Sequence, residues 1–271
     1  RRNLARAQGG AVVSAGAHDG APVGLRRDAS SAASCARGGR SDDAPQLWVA
    51  VPVFNEAAGI RSTLDALAAQ RDDDFGVVFV DNNSTDGSAA IIRAFVAERG
   101  LVRWVIIDEP QKGTGAAADT GMRDAITRGA TMLARTDADC LPRDDWTASI
   151  RHCLTPKAQG GLGLRFVGGD LLPRLDEGLP WGTRTLLSGA VRLAESFGRI
   201  RPGNRLAGAK GPYMMAAGCN VAITAELYLA AGGFPRTRIE ELHEDRALVN
   251  AVRRITGDYA RRRDVVVRGS S

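Results

Sequence analysis

The sequence predicts an α/β fold built on a mostly parallel central sheet flanked by helices. Three observations carry that expectation. Short, continuously apolar runs recur, as in strands buried on both faces. Segments of helical periodicity separate them, and parallel strands need such crossovers. The runs end in polar, acid-bearing turns, and sheets of this kind bind ligands at the carboxyl ends of their strands.

The elements follow in order. Residues 1–44 are rich in Ala, Gly, Ser and Arg, with seven Arg against four Asp, and show no sustained strand or helix period. That composition predicts a disordered tail. The run from Leu47 to Phe54 is the first strand, and it ends in Asn55-Glu56. A helix over 57–70 places Ile60, Leu64 and Leu67 on one stripe. Phe75 to Val80 is the second strand. It runs into Asp81-Asn82-Asn83-Ser84-Thr85-Asp86-Gly87-Ser88, whose Ser, Thr and Asp suit the start of a helix to about 99. Leu101 to Ile107 is the third strand, followed by a Pro-Gln-Lys-Gly-Thr-Gly turn and a helix over 116–129. Thr131 to Thr136 is the fourth strand, and it delivers Asp137 and Asp139.

The second half is less regular. A strand falls within 162–172, an amphipathic helix over 183–199, and a Gly/Pro-rich loop over 200–212. Gly218 to Ile223 reads as a strand. A helix from Thr224 to Ala231 is closed by Gly232-Gly233. A last helix opens at His243-Glu244-Asp245 with Leu248, Val252 and Ile255 on one face, and Val265-Val266-Val267 is a final strand.

Composition excludes several classes. The net charge of +5 is spread out, with no basic block longer than Arg261-Arg262-Arg263, and aromatics make up 5% of the chain. That balance favours anionic small ligands over a nucleic-acid groove or a base-stacking platform. The cysteines Cys35, Cys140, Cys153 and Cys219 form no C-x-x-C pair, so a zinc knuckle or disulfide frame is not expected. A reducing cytoplasm is the expected compartment. No apolar run has the length of a membrane span, which limits membrane contact to peripheral association at the inner surface. The chain begins with Arg, not Met, so an N-terminus that is missing or processed is expected.

The acids at the strand ends carry the chemistry. Glu56, Asp81, Lys112 and Asp137 all fall just after strand ends, and Asp137-Ala138-Asp139 forms a hard oxygen site suited to a phosphate-bearing divalent ion. For a sugar nucleotide, that ion would carry the pyrophosphate, Lys112 would add positive charge beside it, and Glu56 and Asp81 would meet base and ribose. An attacking hydroxyl needs a carboxylate base, and Glu244 and Asp245 at a helix start are the candidates. The same two acids also suit the first turn of a helix simply by favouring its dipole. Gly113-Thr114-Gly115-Ala116-Ala117-Ala118 matches a dinucleotide fingerprint, but it follows the third strand, not the first, and Lys112 directly precedes it.

Six segments in order resemble family 2 glycosyltransferases. They are Val51-Pro52-Val53-Phe54-Asn55-Glu56, Val80 to Gly87, Thr136-Asp137-Ala138-Asp139, Gly218 to Ile223, Gly232-Gly233-Phe234-Pro235, and Glu244-Asp245. The resemblance covers roughly 47–268. It implies a GT-A fold, with a nucleotide-binding half over about 45–142 and an acceptor half over about 143–271. It implies transfer of a single sugar from a nucleotide-diphosphate sugar to an acceptor hydroxyl, with inversion. Pro52, Glu56, Asp81, Lys112 and Asp137 would bind the nucleotide sugar. Asp137 and Asp139 would hold Mg²⁺ or Mn²⁺. Asp245 would be the base, with Glu244 the second choice. The segment Asn250-Ala251-Val252-Arg253-Arg254-Ile255 lacks the Q-x-x-R-W pattern of processive synthases. Relatives often continue beyond such a last strand, so a further C-terminal element is expected. Two rival readings are a nucleotidyltransferase that makes sugar nucleotides and a non-catalytic module that binds them. The first wants a Gly-rich basic loop after the first strand, where Phe54-Asn55-Glu56-Ala57 stands.

Overall fold

In a computed structural model of the chain, residues 46–174, 206–236 and 244–269 are described. The expected tail over 1–44, the helix over 183–199 and His243 lie outside them. Among the described residues, eight strands form one sheet in the order β3-β2-β1-β4-β7-β6-β8-β5. These are β1 (Leu47–Val53), β2 (Phe75–Asp81), β3 (Trp104–Asp108), β4 (Met132–Arg135), β5 (Leu141–Pro142), β6 (Phe166–Pro173), β7 (Val221–Thr224) and β8 (Tyr259–Gly269). The helices are α1 (Ile60–Ala68), α2 (Ser88–Arg99), α3 (Thr114–Thr127), α4 (Trp146–Leu154), α5 (Ala225–Ala230) and α6 (Glu244–Ile255).

The first half is the expected wound sheet. β1 pairs in parallel with β2 and β4, and β2 pairs in parallel with β3. Every residue of β1 is buried, as its unbroken apolar run requires for a strand covered on both faces. α1 presents Ile60, Leu64 and Leu67 to one face. The same layer holds Trp104, whose ring lies 5.7 Å from Phe79 and 6.1 Å from Phe95. α3 covers the other face. Its Gly121 allows close approach: a Cβ there would sit 2.9 Å from Val80 and 3.0 Å from Ala50.

The second half departs from strict parallel order. β7 runs antiparallel between β4 and β6, and β8 pairs in parallel with β6. Several expected boundaries shift. α1 begins at Ile60 because residues 56–59 form a turn in which Glu56 O accepts from Gly59 and Ile60 N–H. α3 begins at Thr114, just after Gly113 at φ 139°. Gly218–Asn220 is a 3₁₀ turn, not strand, and β8 is far longer than its Val265–Val267 centre.

Candidate active site

Parallel pairing brings the carboxyl ends of β1, β2 and β4 to one edge. The hydrogen-bond ladder continues past the strands, with Asn82 N–H donating to Val53 O at 2.8 Å and Thr136 N–H to Ala50 O at 3.3 Å. A cleft opens there, lined by Pro52, Val53, Phe54, Glu56, Asn82, Thr114, Ala117 and the turn Asp137–Asp139.

The loops after β1 and β2 hold each other. Asn55 N–H donates to Ser84 Oγ at 3.1 Å, and Thr85 N–H donates to Asn55 Oδ1 at 2.8 Å. Glu56 N–H donates to Ser88 Oγ, and Asp86 accepts from Ala57 N–H, Ser88 N–H and the Ser88 hydroxyl. Asn55 and Asn83 adopt left-handed backbone, which Asn tolerates better than most residues. These clamps fix Glu56 at the cleft. Its carboxyl is pushed above the usual carboxylate range, first by burial and then by Asp139, Asp86 and Asp137.

The Asp137–Asp139 turn is tied from both sides. Thr63 on α1 donates its hydroxyl to Ala138 O at 2.7 Å, and Cys140 N–H donates to Asp137 O at 3.1 Å. Asp137 Oδ1 accepts from Arg135 Nε at 3.1 Å, and Arg174 Nη1 donates to Asp139 O at 3.2 Å. Asn82 is buried and organises the neighbouring loop. Its Nδ2 donates to Glu109 O and Gln111 O, and its Oδ1 accepts from Gly113 N–H, each at 2.8 Å.

The remaining sequence candidates fall at the margins of this cleft. Asp81 is half-buried one residue before Asn82, and its Oδ1 accepts from Ser84 N–H at 3.2 Å. Lys112 is exposed on the 109–113 loop and does not line the cleft. Glu244 and Asp245 start α6 and connect to the cleft through Arg135. That guanidinium is buried. Its Nη1 lies 3.4 Å from Glu244 Oε1, and its face lies 5.1 Å from the Phe234 ring. Gly218 fits between: a Cβ there would lie 3.1 Å from Arg135 Nη1 and 3.4 Å from Asp245 Cβ. Asp245 Oδ1 accepts from Arg246 N–H, and Asp245 faces a second pocket beyond Gly218.

Two site residues were not singled out by sequence. Phe54 is 53% exposed at the cleft, an uncommon setting for a large apolar side chain just past a buried strand. Arg135 occupies the end of a buried strand, where a lone charge is costly unless paired. The signal was present in both, as an apolar residue carried into a polar turn and a cation inside an apolar run.

The Gly113–Ala118 segment has a packing explanation. A Cβ on Gly115 would collide with the Pro235 carbonyl and approach Glu244 Cβ to 3.3 Å. Pro235 and the start of α6 therefore occupy the space beside this helix start. Arg236 pins that segment, bonding Glu109 Oε2 at 2.7 Å and the Thr120 hydroxyl at 2.8 Å. Burial pushes the Glu109 carboxyl up, but bonds from Thr120, Arg236 and Gln111 outweigh it and leave it below the usual range.

Residues 48–152 match the profile described as Glycosyl transferase family 2. Over this stretch the chain is similar to the family 2 glycosyltransferases. It is 31% identical over 129 residues to glycosyltransferase AglE of Haloferax volcanii, covering 47% of this chain and 40% of that protein. It is 29% identical over 164 residues to the dolichol-phosphate mannosyltransferase of Mycosarcoma maydis, covering 58% and 53%. The chain thus spans about half the length of the curated relatives it matches. Among solved structures, the mannosyltransferase PcManGT of Pyrobaculum calidifontis, in complex with GDP-Man and Mn²⁺, superposes with a TM-score of 0.60 at 23% identity. The match covers 86% of this chain and 60% of that one. S. aureus TarS 1–349 with UDP gives 0.55 at 14% identity, covering 83% and 60%. These likenesses establish the GT-A fold. Among the described residues no helix is long and apolar enough to cross a membrane.

Proposed function

We propose that this protein is a glycosyltransferase that moves a single sugar from a nucleoside-diphosphate donor to an acceptor hydroxyl, with inversion and with Asp245 as the base. The observation that carries the reading is the run of contacts from Asp137 through buried Arg135 to the start of α6. It joins an acidic cleft at the strand ends to a second carboxylate pocket.

The cleft suits Mg²⁺ or Mn²⁺. Asp137 and Asp139 both line it, and the charge they create with Asp86 helps push Glu56 toward its protonated form, a strain that a cation relieves. Among the described residues no three His, Cys, Asp or Glu side chains converge to hold a metal alone. Diphosphate oxygens would therefore complete the coordination. When bound, the ion neutralises the charge that develops on the departing diphosphate.

The protein's own groups do the rest. Phe54 presents a ring on which a nucleobase can stack. Glu56 offers a polar contact at the strand ends beside the loop that Asn82 holds, with Asp81 and Lys112 at the margin for base and phosphate. Asp245 takes the proton of the acceptor hydroxyl as its oxygen attacks the anomeric carbon. The bond from that carbon to the diphosphate oxygen breaks from the opposite side, with its electron pair leaving on the diphosphate.

The AglE and dolichol-phosphate mannosyltransferase names and the GDP-Man and UDP complexes support a nucleotide-sugar donor here. Thermal shift against UDP, GDP, dTDP, CDP and NAD, each with and without Mn²⁺, tests this. A nucleotide at 100 times its dissociation constant should add roughly 2.7 kcal/mol. Stabilisation by one nucleoside diphosphate that requires Mn²⁺ is the expected result. Stabilisation by NAD alone would overturn the reading.

A further inference from the structure

The second pocket has a definite chemistry. Tyr213, Met214, Met215, Ala216 and Val249 form its walls, and Asp245, Arg246 and Asn250 its polar edge. Its volume is about 180 Å³. A dry cavity of roughly 150 Å³ lined by apolar side chains accommodates benzene, so this space suits one six-membered ring or a branched alkyl group.

The walls are built in advance. Gly168 on β6 leaves room for the 214–216 segment: a Cβ there would lie 2.8 Å from Ala216 Cβ and 3.5 Å from Met214 Cε. The Tyr259 hydroxyl donates to Pro212 O at 2.6 Å, and Lys210 N–H donates to Arg253 O at 2.7 Å. These bonds anchor the approach to Tyr213 against β8 and α6. The Tyr213 ring also carries the Arg253 guanidinium 5.6 Å from its centre, and Asn250 Oδ1 accepts from Arg253 Nη1 at 3.2 Å. Val249 stands one helical turn after Asp245, so the carboxylate and the apolar wall share one side of α6.

We propose that this pocket selects the acceptor, taking a hydroxyl carried on an apolar ring or branched alkyl body in preference to a polyhydroxylated sugar. The inference rests on Asp245 being the base. Among the described residues a polyol seated here could pair only along the edge of Asp245, Arg246 and Asn250; its hydroxyls against the apolar walls would lose water without a partner, and buried unpaired hydroxyls are costly. A cyclohexyl or phenyl body loses nothing of that kind and gains burial. Two adjacent methionines add polarizable surface that adapts to ring or alkyl shape.

The chain's four methionines make a direct test. Met214 and Met215 line the pocket, Met214 from within the core, whereas Met122 and Met132 are buried away from it. With methyl-¹³C methionine, the protein is titrated with cyclohexanol and with inositol, which share a six-membered ring and differ in polarity. The Met214 and Met215 methyl signals should move saturably with cyclohexanol and not with inositol, while Met122 and Met132 stay. Val249→Trp, which fills the pocket, should abolish the movement. Unmoved Met214 and Met215 signals, or equal movement with inositol, would overturn the proposal. In parallel, release of nucleoside diphosphate from UDP- and GDP-sugars is followed with cyclohexylmethanol or inositol as acceptor. The apolar alcohol should be used at least roughly tenfold better. Efficient use of inositol would count against the pocket alone. Pocket shifts with no turnover of any nucleotide sugar would instead sink the transfer reading and leave the pocket's selectivity standing.

Discussion

Arg135, at the end of β4, shares its guanidinium between Asp137 Oδ1, at 3.1 Å from Nε, and Glu244 Oε1, at 3.4 Å from Nη1. One buried cation thereby holds the Asp137–Asp139 turn and the first residue of α6. Burial alone would lower its pKa. Asp137 and Glu244 more than compensate and hold it above the usual arginine value. Removing the buried cation leaves two half-buried carboxylates without their shared partner. Arg135→Met should destabilise the fold by about 3 kcal/mol, read by chemical denaturation. Turnover should fall further than donor affinity, because α6 loses its register against the cleft. Arg135→Lys should recover part of the stability but less of the turnover, since an ammonium cannot reproduce the fork. In a double-mutant cycle, Glu244→Gln should cost less in the Arg135→Met background than alone.

Asp245→Asn tests the proton acceptor. The amide keeps the size and removes the basicity. Transfer should fall by about 10² to 10⁴, the range that general-base removal commonly produces. Binding of the nucleoside diphosphate should not change, because the cleft proposed for it is lined by other residues. Undiminished transfer would remove Asp245 from the reaction. If instead Glu244→Gln alone stopped transfer, the base would move one residue back.

Cation and nucleotide should bind as a pair. Two side-chain carboxylates, Asp137 and Asp139, leave most of the coordination of Mg²⁺ or Mn²⁺ to other oxygens. Calorimetric titration with Mn²⁺ alone should therefore give weak binding, tightened by the preferred nucleoside diphosphate. Linkage requires the nucleotide to tighten by the same factor when Mn²⁺ is present. Asp139→Ala should erase that mutual enhancement. Equal Mn²⁺ affinity with and without nucleotide would contradict the proposed arrangement.

The wound half of the sheet is legible in the sequence because its strands are buried on both faces. Val49, Val51, Val77 and Val80 leave no polar position to confuse the period. Hence the apolar runs alone are enough to put Glu56, Asp81 and Asp137 at strand ends. α4 escapes a reading by period because its apolar positions are interrupted by Thr147. That side chain is buried through bonds to Gln70 and Asp72, which no local pattern announces. β8 is visible only at Val265–Val267 because Arg261, Arg262 and Asp264 look like a solvated turn. In the fold, Arg261 pairs with Asp170 and Arg262 with Asp264. The partnership of Arg135 with Glu244 spans 109 residues and has no local signature at all.

Gly115→Ala separates the packing role of the Gly-rich turn from a cofactor role. The new methyl would meet the Pro235 carbonyl and press on Glu244. Overpacking of this kind costs about 1–3 kcal/mol. The displaced segment leads into α6, so transfer should fall while nucleoside diphosphate binding persists. Gly121→Ala, which meets Val80 and Ala50 instead, should cost comparable stability with a smaller effect on turnover per unit of destabilisation.

Glu56 supplies the pH dependence. Its carboxyl is held above its ordinary 4.5, by burial first and then by Asp139, Asp86 and Asp137. The folded state thus keeps this proton to higher pH than the unfolded chain does. As pH rises above 4.5 and through the raised range, the unfolded state ionises first and the folded state loses stability. Without cation, Glu56→Gln should raise the melting temperature at neutral pH, and the gain should vanish below pH 4.5, where both states hold the proton. Saturating Mn²⁺ with nucleotide should shrink the difference, because a cation among Asp137, Asp139 and the diphosphate offsets the repulsion that raises Glu56. A gain independent of pH would mean that Glu56 acts through packing and not through its charge.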